Sequence, residues 1–160
     1  GSERIPDFPV FKNNEPPKFI ILDVPAIAMA DNGTFTVTWT RIREIPVPRE
    51  YDAYAAGFNS DGSVRFPRFA LGKTQKGFQS YADVAMASGS DIVIVWQDDS
   101  DENGASQILG TGYDGSGQVR ISQFTVNSDA SGNQAFPVVA MGKQSTLLLP
   151  YVQKGIDFLN

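Results

Sequence analysis

The chain of 160 residues contains no cysteine and no histidine. Without cysteine it has no disulfide, no thiolate metal ligand and no thiol nucleophile. Without histidine it lacks the usual general base, every Ser–His or Cys–His couple and the commonest transition-metal ligand. These absences favour a protein that is not an enzyme. The enzymatic chemistry that stays open depends on carboxylates alone or on lysine and tyrosine.

Positive charge and long apolar runs are also scarce. The chain has 13 Lys and Arg against 18 Asp and Glu, which gives a net charge of −5. Nucleic-acid binders carry a basic face, so we predict no nucleic-acid partner. No apolar run approaches the ~18 residues of a membrane span, so we predict no membrane insertion. Gly1 and Ser2 are typical of a cleaved tag, and a secretion signal could have been removed with it.

Glycine (15 residues) and proline (10 residues) are frequent, which favours short strands joined by tight turns. Three segments, over residues 24–39, 81–96 and 135–151, align with one another without gaps at their centres. Each contains an Ala-Met pair, and the pairs follow one another after 57 and 55 residues. Such a spacing is close to the periods that mark repeat architectures. We therefore predict an internal repeat.

Each repeat contains four runs with the alternation or composition of β-strands. Four antiparallel strands per repeat is the composition of a β-propeller blade, so we predict an all-β protein with about 2.5–3 blades per chain. The predicted single domain, 1–160, has a strand D at 5–11, blade one at 24–71, blade two at 81–126 and a partial blade three at 135–160. Closed propellers have about four to eight blades. We therefore predict a longer propeller, or a homodimer in which each N-terminal strand completes the other chain's last blade.

The motifs of the second and third repeats match a known pattern: Val95-Trp96-Gln97, Tyr113-Asp114, Phe124-Thr125-Val126-Asn127 and Phe136-Pro137-Val138-Val139-Ala140. The stretch resembles the degenerate repeats of bacterial secreted and RTX-type adhesin proteins, which form integrin-α-like β-propeller blades. The resemblance covers residues 81–141 well and residues 24–71 loosely. It implies a secreted or cell-surface bacterial protein.

An acidic loop over residues 98–104 follows the second Trp-ended run, and from Asp99 it has the pattern D-x-D-x-N-G. Alternating oxygen side chains followed by glycine open many calcium loops. The candidate Ca²⁺ ligands are Asp99, Asp101, Asn103, the carbonyl of Ala105, and Gln107. The alternative is a solvated acidic hairpin tip without metal.

The corresponding loop of the first repeat is basic, with Arg41, Arg43 and Arg49. These guanidinium groups could pair with the acidic loop or bind an anionic ligand. The alternative is an exposed loop with weak interactions. Trp39, Trp96 and Tyr151 share one repeat position, which favours packing between blades over stacking on a sugar.

These features favour a non-catalytic extracellular binding or adhesion module with a glycan or protein ligand. Calcium could stabilise this module. One alternative is a purely structural spacer or oligomerisation ring. A second is a carboxylate-dependent enzyme acting on glycans, which needs two acids converging in a pocket.

Overall fold

The chain folds into β-strands joined by tight turns. The computed structural model describes residues 7–10, 20–43, 50–74, 76–128, 131–142 and 151–154, and none of these residues lies in a helix. Within this part of the chain, no helix long and apolar enough to cross a membrane is found. The strands are β1 (Ile20–Met29), β2 (Phe35–Arg43), β3 (Glu50–Phe58), β4 (Val64–Ala70), β5 (Gln79–Met86), β6 (Ile92–Asp98), β7 (Gln107–Tyr113), β8 (Val119–Thr125), β9 (Gln134–Val138) and β10 (Tyr151–Lys154).

The strands form two four-stranded antiparallel sheets and one further pair. The first sheet has the order β1-β2-β3-β4 and the second has the order β5-β6-β7-β8, so sequential strands are always neighbours. Strands β9 and β10 pair antiparallel. The prediction of an all-β protein with four-stranded antiparallel units is confirmed to this extent. The described residues do not form a closed ring of sheets.

The first strand of each unit carries the same backbone irregularity. Val24, Tyr81 and Phe136 have φ values of 49°, 52° and 53°, although left-handed φ is uncommon for residues with bulky side chains. In β1, β5 and β9 this residue lies where the pairing register shifts, as in a β-bulge. The three positions are 57 and 55 residues apart, the same spacing as the Ala-Met pairs. The three units therefore share a structural feature as well as a sequence pattern.

The hairpin turns repeat as well. In each sheet, the turn between the first and second strands and the turn between the third and fourth strands place their fourth residue in the left-handed region. These residues are Gly33, Gly62, Ser90 and Gly117, with φ values of 82°, 84°, 71° and 81°. Glycine adopts this conformation without a steric penalty, which explains its presence at three of the four positions.

Each unit packs on the preceding one in the same way. Strand β5 packs against β1, β2 and β3, and β9 packs against β5, β6 and β7. Strands β1 and β3 of the first sheet contribute small side chains to the core between the two sheets, namely Ala26, Ala28, Ala53 and Ala55, whereas β4 contributes the rings of Phe66 and Phe69. The second sheet contributes large ones, among them Val84, Ile92, Ile94, Trp96 and Tyr113. Large residues on one face thus fill the space left by small residues on the other.

Polar contacts fix the first strand of one unit against the preceding unit. The Thr38 hydroxyl donates to the Ala82 carbonyl at 3.0 Å, and the Tyr81 N–H donates to the Thr40 hydroxyl at 3.2 Å. The next unit makes a similar contact, in which the Val139 N–H donates to Asp83 Oδ2 at 2.8 Å. The bulge of β5 therefore satisfies its N–H group on the neighbouring sheet, as buried backbone groups require.

Two predicted segments are described only in part. Of the predicted strand at residues 5–11, only residues 7–10 are described, and these are not in a strand. Phe8 packs on the outer face of the first sheet, with its ring centroid 5.4 Å from that of Phe58 and 6.3 Å from that of Phe35. Strands β9 and β10 lie within the predicted partial blade at 135–160, save that β9 begins one residue earlier. The parts of the predicted partial blade at 143–150 and 155–160 lie outside the described residues.

Candidate functional site

The acidic loop is stabilised by hydrogen bonds from its own backbone. The Asp101 carboxylate accepts the Asn103 N–H at 3.3 Å and the Asn103 side-chain amide at 2.7 Å. The Asn103 side-chain oxygen in turn accepts the Ala105 N–H at 2.8 Å. Aspartate and asparagine commonly close turns in this way. Two of the five predicted calcium ligands therefore already act as hydrogen-bond acceptors within the loop.

The last two predicted ligands are also engaged. The Gln107 side-chain amide donates to the Ala105 carbonyl at 3.4 Å. The Gln107 side-chain oxygen accepts a hydrogen bond from Asn127 at 2.6 Å, and the Asn127 oxygen accepts the Ile108 N–H at 2.8 Å. Asn127, the last residue of the quoted Phe-Thr-Val-Asn motif, thus ties the segment after β8 to the beginning of β7.

Asp99 differs from the other predicted ligands. Its Oδ1 is buried and has no hydrogen-bond partner. Burial raises the pKa of Asp99, the Gly104 N–H opposes that shift, and the negative charges of Asp101, Asp98 and Glu102 add to it. Among the described residues, no three acidic, histidine or cysteine side chains are grouped so that they could hold a metal ion. Asp99 is therefore the position in the loop that would gain most from a cation.

The predicted arginines pair with acids of their own sheet. Arg41 lies 3.2 Å from Asp52 and Arg43 lies 2.6 Å from Glu50, each across the β2–β3 ladder. Arg41 and Asp52 are only 6% and 5% exposed. Burial raises the pKa of Asp52 despite the neighbouring positive charge of Arg41. Arg49 lies outside the described residues.

Arg41 and Arg43 lie at the end of β2, and the acidic loop begins at the end of β6, the corresponding strand of the second sheet. The Tyr51 ring contacts the Phe78 ring edge-on, with 5.0 Å between centroids. The Phe78 carbonyl accepts the Asp99 N–H at 2.9 Å. Phe78, in the segment that joins the first sheet to the second, therefore contacts both β3 and the acidic loop.

A cleft of about 330 Å³ lies between β4 of the first sheet and β7–β8 of the second. Aromatic side chains form one part of its wall, where the rings of Phe69 and Tyr113 are 5.1 Å apart. Polar groups form another part, with Lys73, Ser122 and Gln123. Burial raises the pKa of Tyr113 to about 12, so its phenol stays protonated at neutral pH. Its volume is at the lower end of the range of small-ligand clefts, and its wall combines aromatic and polar groups.

A second cleft, of about 280 Å³, lies on the opposite face of the second sheet, beside Met141. Asp91 and Arg120 line it and pair with each other at 2.9 Å. Sequence reasoning predicted neither cleft, because each is built from residues of two units that only the packing of the sheets brings together. Tyr113 was marked in the sequence only as part of the Tyr113-Asp114 repeat motif, which did not indicate a cleft.

Comparisons with protein-family models, with curated proteins and with solved structures find no match. The geometry of the described residues therefore carries the functional argument. It offers one cleft with aromatic and polar walls, one acidic loop with an unsatisfied buried oxygen at Asp99, and one buried ion pair.

Proposed function

We propose that this protein is a non-catalytic binding and adhesion module of a secreted or cell-surface bacterial protein, and that its sheets are propeller-type blades. The repeated bulges at Val24, Tyr81 and Phe136 support the blade arrangement. The identical packing of β5 on the first sheet and of β9 on the second supports it further. Propeller blades are four-stranded sheets repeated around an axis, each packed face to face on the next.

The observation that carries the binding function is the cleft between β4 and β7–β8. We assign it to a glycan, because sugars are recognised by aromatic surfaces together with hydroxyl, amide and ammonium groups. Phe69 supplies an aromatic surface, and Lys73, Ser122 and Gln123 supply hydrogen-bonding groups. In a propeller the cleft lies between adjacent blades, so a glycan would contact both.

The distribution of acids favours binding over hydrolysis. Glycosidases generally place two carboxyl groups about 5–10 Å apart around the scissile bond. The residues that line the cleft between β4 and β7–β8 include neither aspartate nor glutamate. Asp91 is the single acid among the residues lining the second cleft, and Arg120 pairs with it. Neither cleft, as far as the described residues form it, offers the pair of carboxylates that hydrolysis uses.

Glycan-array binding tests the proposed function. We expect the protein to retain a defined subset of immobilised glycans, and Lys73→Ala and Gln123→Ala each to weaken that binding about 5- to 30-fold, as the loss of one or two hydrogen bonds would. Lys76→Ala is the matched control, because Lys76 is exposed on the same connecting segment but does not line the cleft. Absence of glycan binding, or equal loss in the Lys76 variant, would contradict the assignment.

Calcium at the acidic loop is a separate proposal. The buried, unsatisfied Oδ1 of Asp99 fits a cation ligand. Burial is the main cause of the raised pKa of Asp99, and the nearby negative charges, which a divalent ion would neutralise, raise it further. Asp101 and Asn103 would have to exchange their hydrogen bonds within the loop for the metal. We therefore infer a weak site in which Asp99 contributes more than Asp101.

Thermal unfolding measures this site. Millimolar Ca²⁺ is expected to raise the Tm, because a ligand bound by the native state alone stabilises it by mass action. Asp99→Asn should abolish that rise. The same substitution should itself raise the metal-free Tm at pH 7. Because the pKa of Asp99 is raised in the folded state, ionisation of Asp99 lowers the stability of the folded protein as the pH increases through that pKa, and asparagine does not ionise. Magnesium chloride at equal ionic strength is the control. A Tm that does not respond to Ca²⁺ in the unmodified protein would contradict the site.

A further inference from the structure

One repeat position distinguishes the first unit from the other two. Ile27, Val84 and Val139 are equivalent, being 57 and 55 residues apart. Val84 is 5% exposed and packs in the core formed with the first sheet, and Val139 is 8% exposed and packs on the second sheet. Ile27 is 62% exposed. Two of the three positions are therefore covered by a preceding sheet, and the first is not.

The methionines of the Ala-Met pairs repeat this difference. Met29 is 62% exposed, whereas its equivalents Met86 and Met141 are partly buried against the preceding sheet. Two large apolar side chains thus project side by side from β1 into solvent. Exposed apolar residues that occur singly are common, but a pair whose equivalents are covered in each further unit indicates a missing contact.

The complementary surface is exposed on the last unit. Ala26 and Ala28 are the small residues of β1 that receive the second sheet, and Asp83 and Ala85 are their equivalents facing β9. The corresponding residues of β9 are Val138, which is 55% exposed, and Ala140, which is also exposed. The chain therefore has two exposed faces. One, on β1, carries the large residues Ile27 and Met29, and the other, at β9, corresponds to the face that receives the next unit in the first two sheets.

We propose that a second copy of this chain covers these faces, so that Ile27 and Met29 of one copy pack on Val138 and Ala140 of the other. This contact would repeat the two sheet-on-sheet interfaces already present within the chain. The proposal rests on the blade arrangement proposed above. Two such contacts join two copies head to tail.

The N-terminal segment restricts where the second copy binds. Phe8 and Val10 pack on the outer face of the first sheet, over Phe35 and Phe58, and leave the outer side of β1 uncovered. The second copy therefore contacts β1 rather than the middle of the sheet. Because each copy carries a net charge of −5, added salt should strengthen the association by screening their repulsion.

Sedimentation velocity over a range of protein and salt concentrations tests the proposal. The unmodified protein should show a species of twice the chain mass that grows with concentration and with NaCl. Met29→Lys and Val138→Glu should each shift the protein to monomer, reducing association at least 10-fold. Val64→Lys is the control, because Val64 is 63% exposed but lies on β4, away from both faces. Circular dichroism would establish that each variant retains its β structure.

Mixing the two monomeric variants separates a specific contact from a general loss of fold. An equimolar mixture of the Met29→Lys and Val138→Glu chains has one unmodified contact and one contact with a Lys–Glu pair, so dimer should reappear. A monomer at all concentrations, a dimer insensitive to both substitutions, or no recovery on mixing would overturn the proposal. Glycan binding retained by a monomeric chain would show that the binding function holds although the assembly fails.

Discussion

Replacing Trp96 by alanine is expected to lower the free energy of unfolding by about 3–5 kcal/mol. Trp96 is fully buried at the centre of the core between the two sheets. Its indole Nε1 donates to Asp98 Oδ2 at 3.0 Å, and Asp98 is only 5% exposed. The substitution therefore leaves a large cavity and also removes a hydrogen bond from a buried carboxylate, which adds a further cost.

Chemical denaturation of Trp96→Ala and Trp96→Phe separates these two contributions. Trp96→Phe keeps most of the apolar ring and loses the N–H donor, so it should destabilise the protein less than alanine does. The fluorescence of Trp39 remains available to follow unfolding in both variants. A loss below about 1 kcal/mol for Trp96→Ala would mean that the sheets do not pack as described here.

The strands and turns followed from the sequence because the local chemistry and the tertiary structure agree. Alternating apolar residues predicted β2, and the turn before it, which contains Asn32 and Gly33, is closed by the Gly33 N–H donating to the Ala30 carbonyl. The bulges at Val24, Tyr81 and Phe136 could not be predicted from the sequence. Valine, tyrosine and phenylalanine disfavour positive φ, and the contact that holds Tyr81 in place comes from Thr40 on the other sheet. A tertiary contact therefore decided the local conformation.

The candidate sites were predictable only where they lie within one hairpin. The acidic loop lies between β6 and β7. Its D-x-D-x-N-G pattern suits both calcium binding and turns closed by aspartate and asparagine, because the same oxygens serve either purpose. The partners of Arg41 and Arg43 depend on the register of β2 on β3. The cleft beside Phe69 and Tyr113 depends on the packing of two sheets, which no local pattern specifies.

The buried ion pair between Arg41 and Asp52 should behave differently in single and double variants. Arg41→Met or Asp52→Leu alone is expected to lower the free energy of unfolding by about 3–5 kcal/mol, because each leaves an uncompensated buried charge. The double variant should recover most of this loss. Both groups lie on the large-residue face of the first sheet, where apolar side chains would continue the row that contains Trp39 and Tyr54. Urea denaturation of the four proteins measures the coupling.

The pH dependence of this cycle follows from the raised pKa of Asp52. Burial raises that pKa, while Arg41 and Arg43 lower it and Glu50 raises it further, and the net shift is upward. The folded state therefore holds the Asp52 proton more tightly than the unfolded chain does, and stability from this group declines as the pH rises from the unfolded pKa, about 3.9, through the folded value. The double variant lacks the titration. Its stability relative to the unmodified protein should accordingly improve as the pH rises from about 3 to 7. An advantage that instead shrinks with rising pH would show that Arg41 outweighs the desolvation of Asp52.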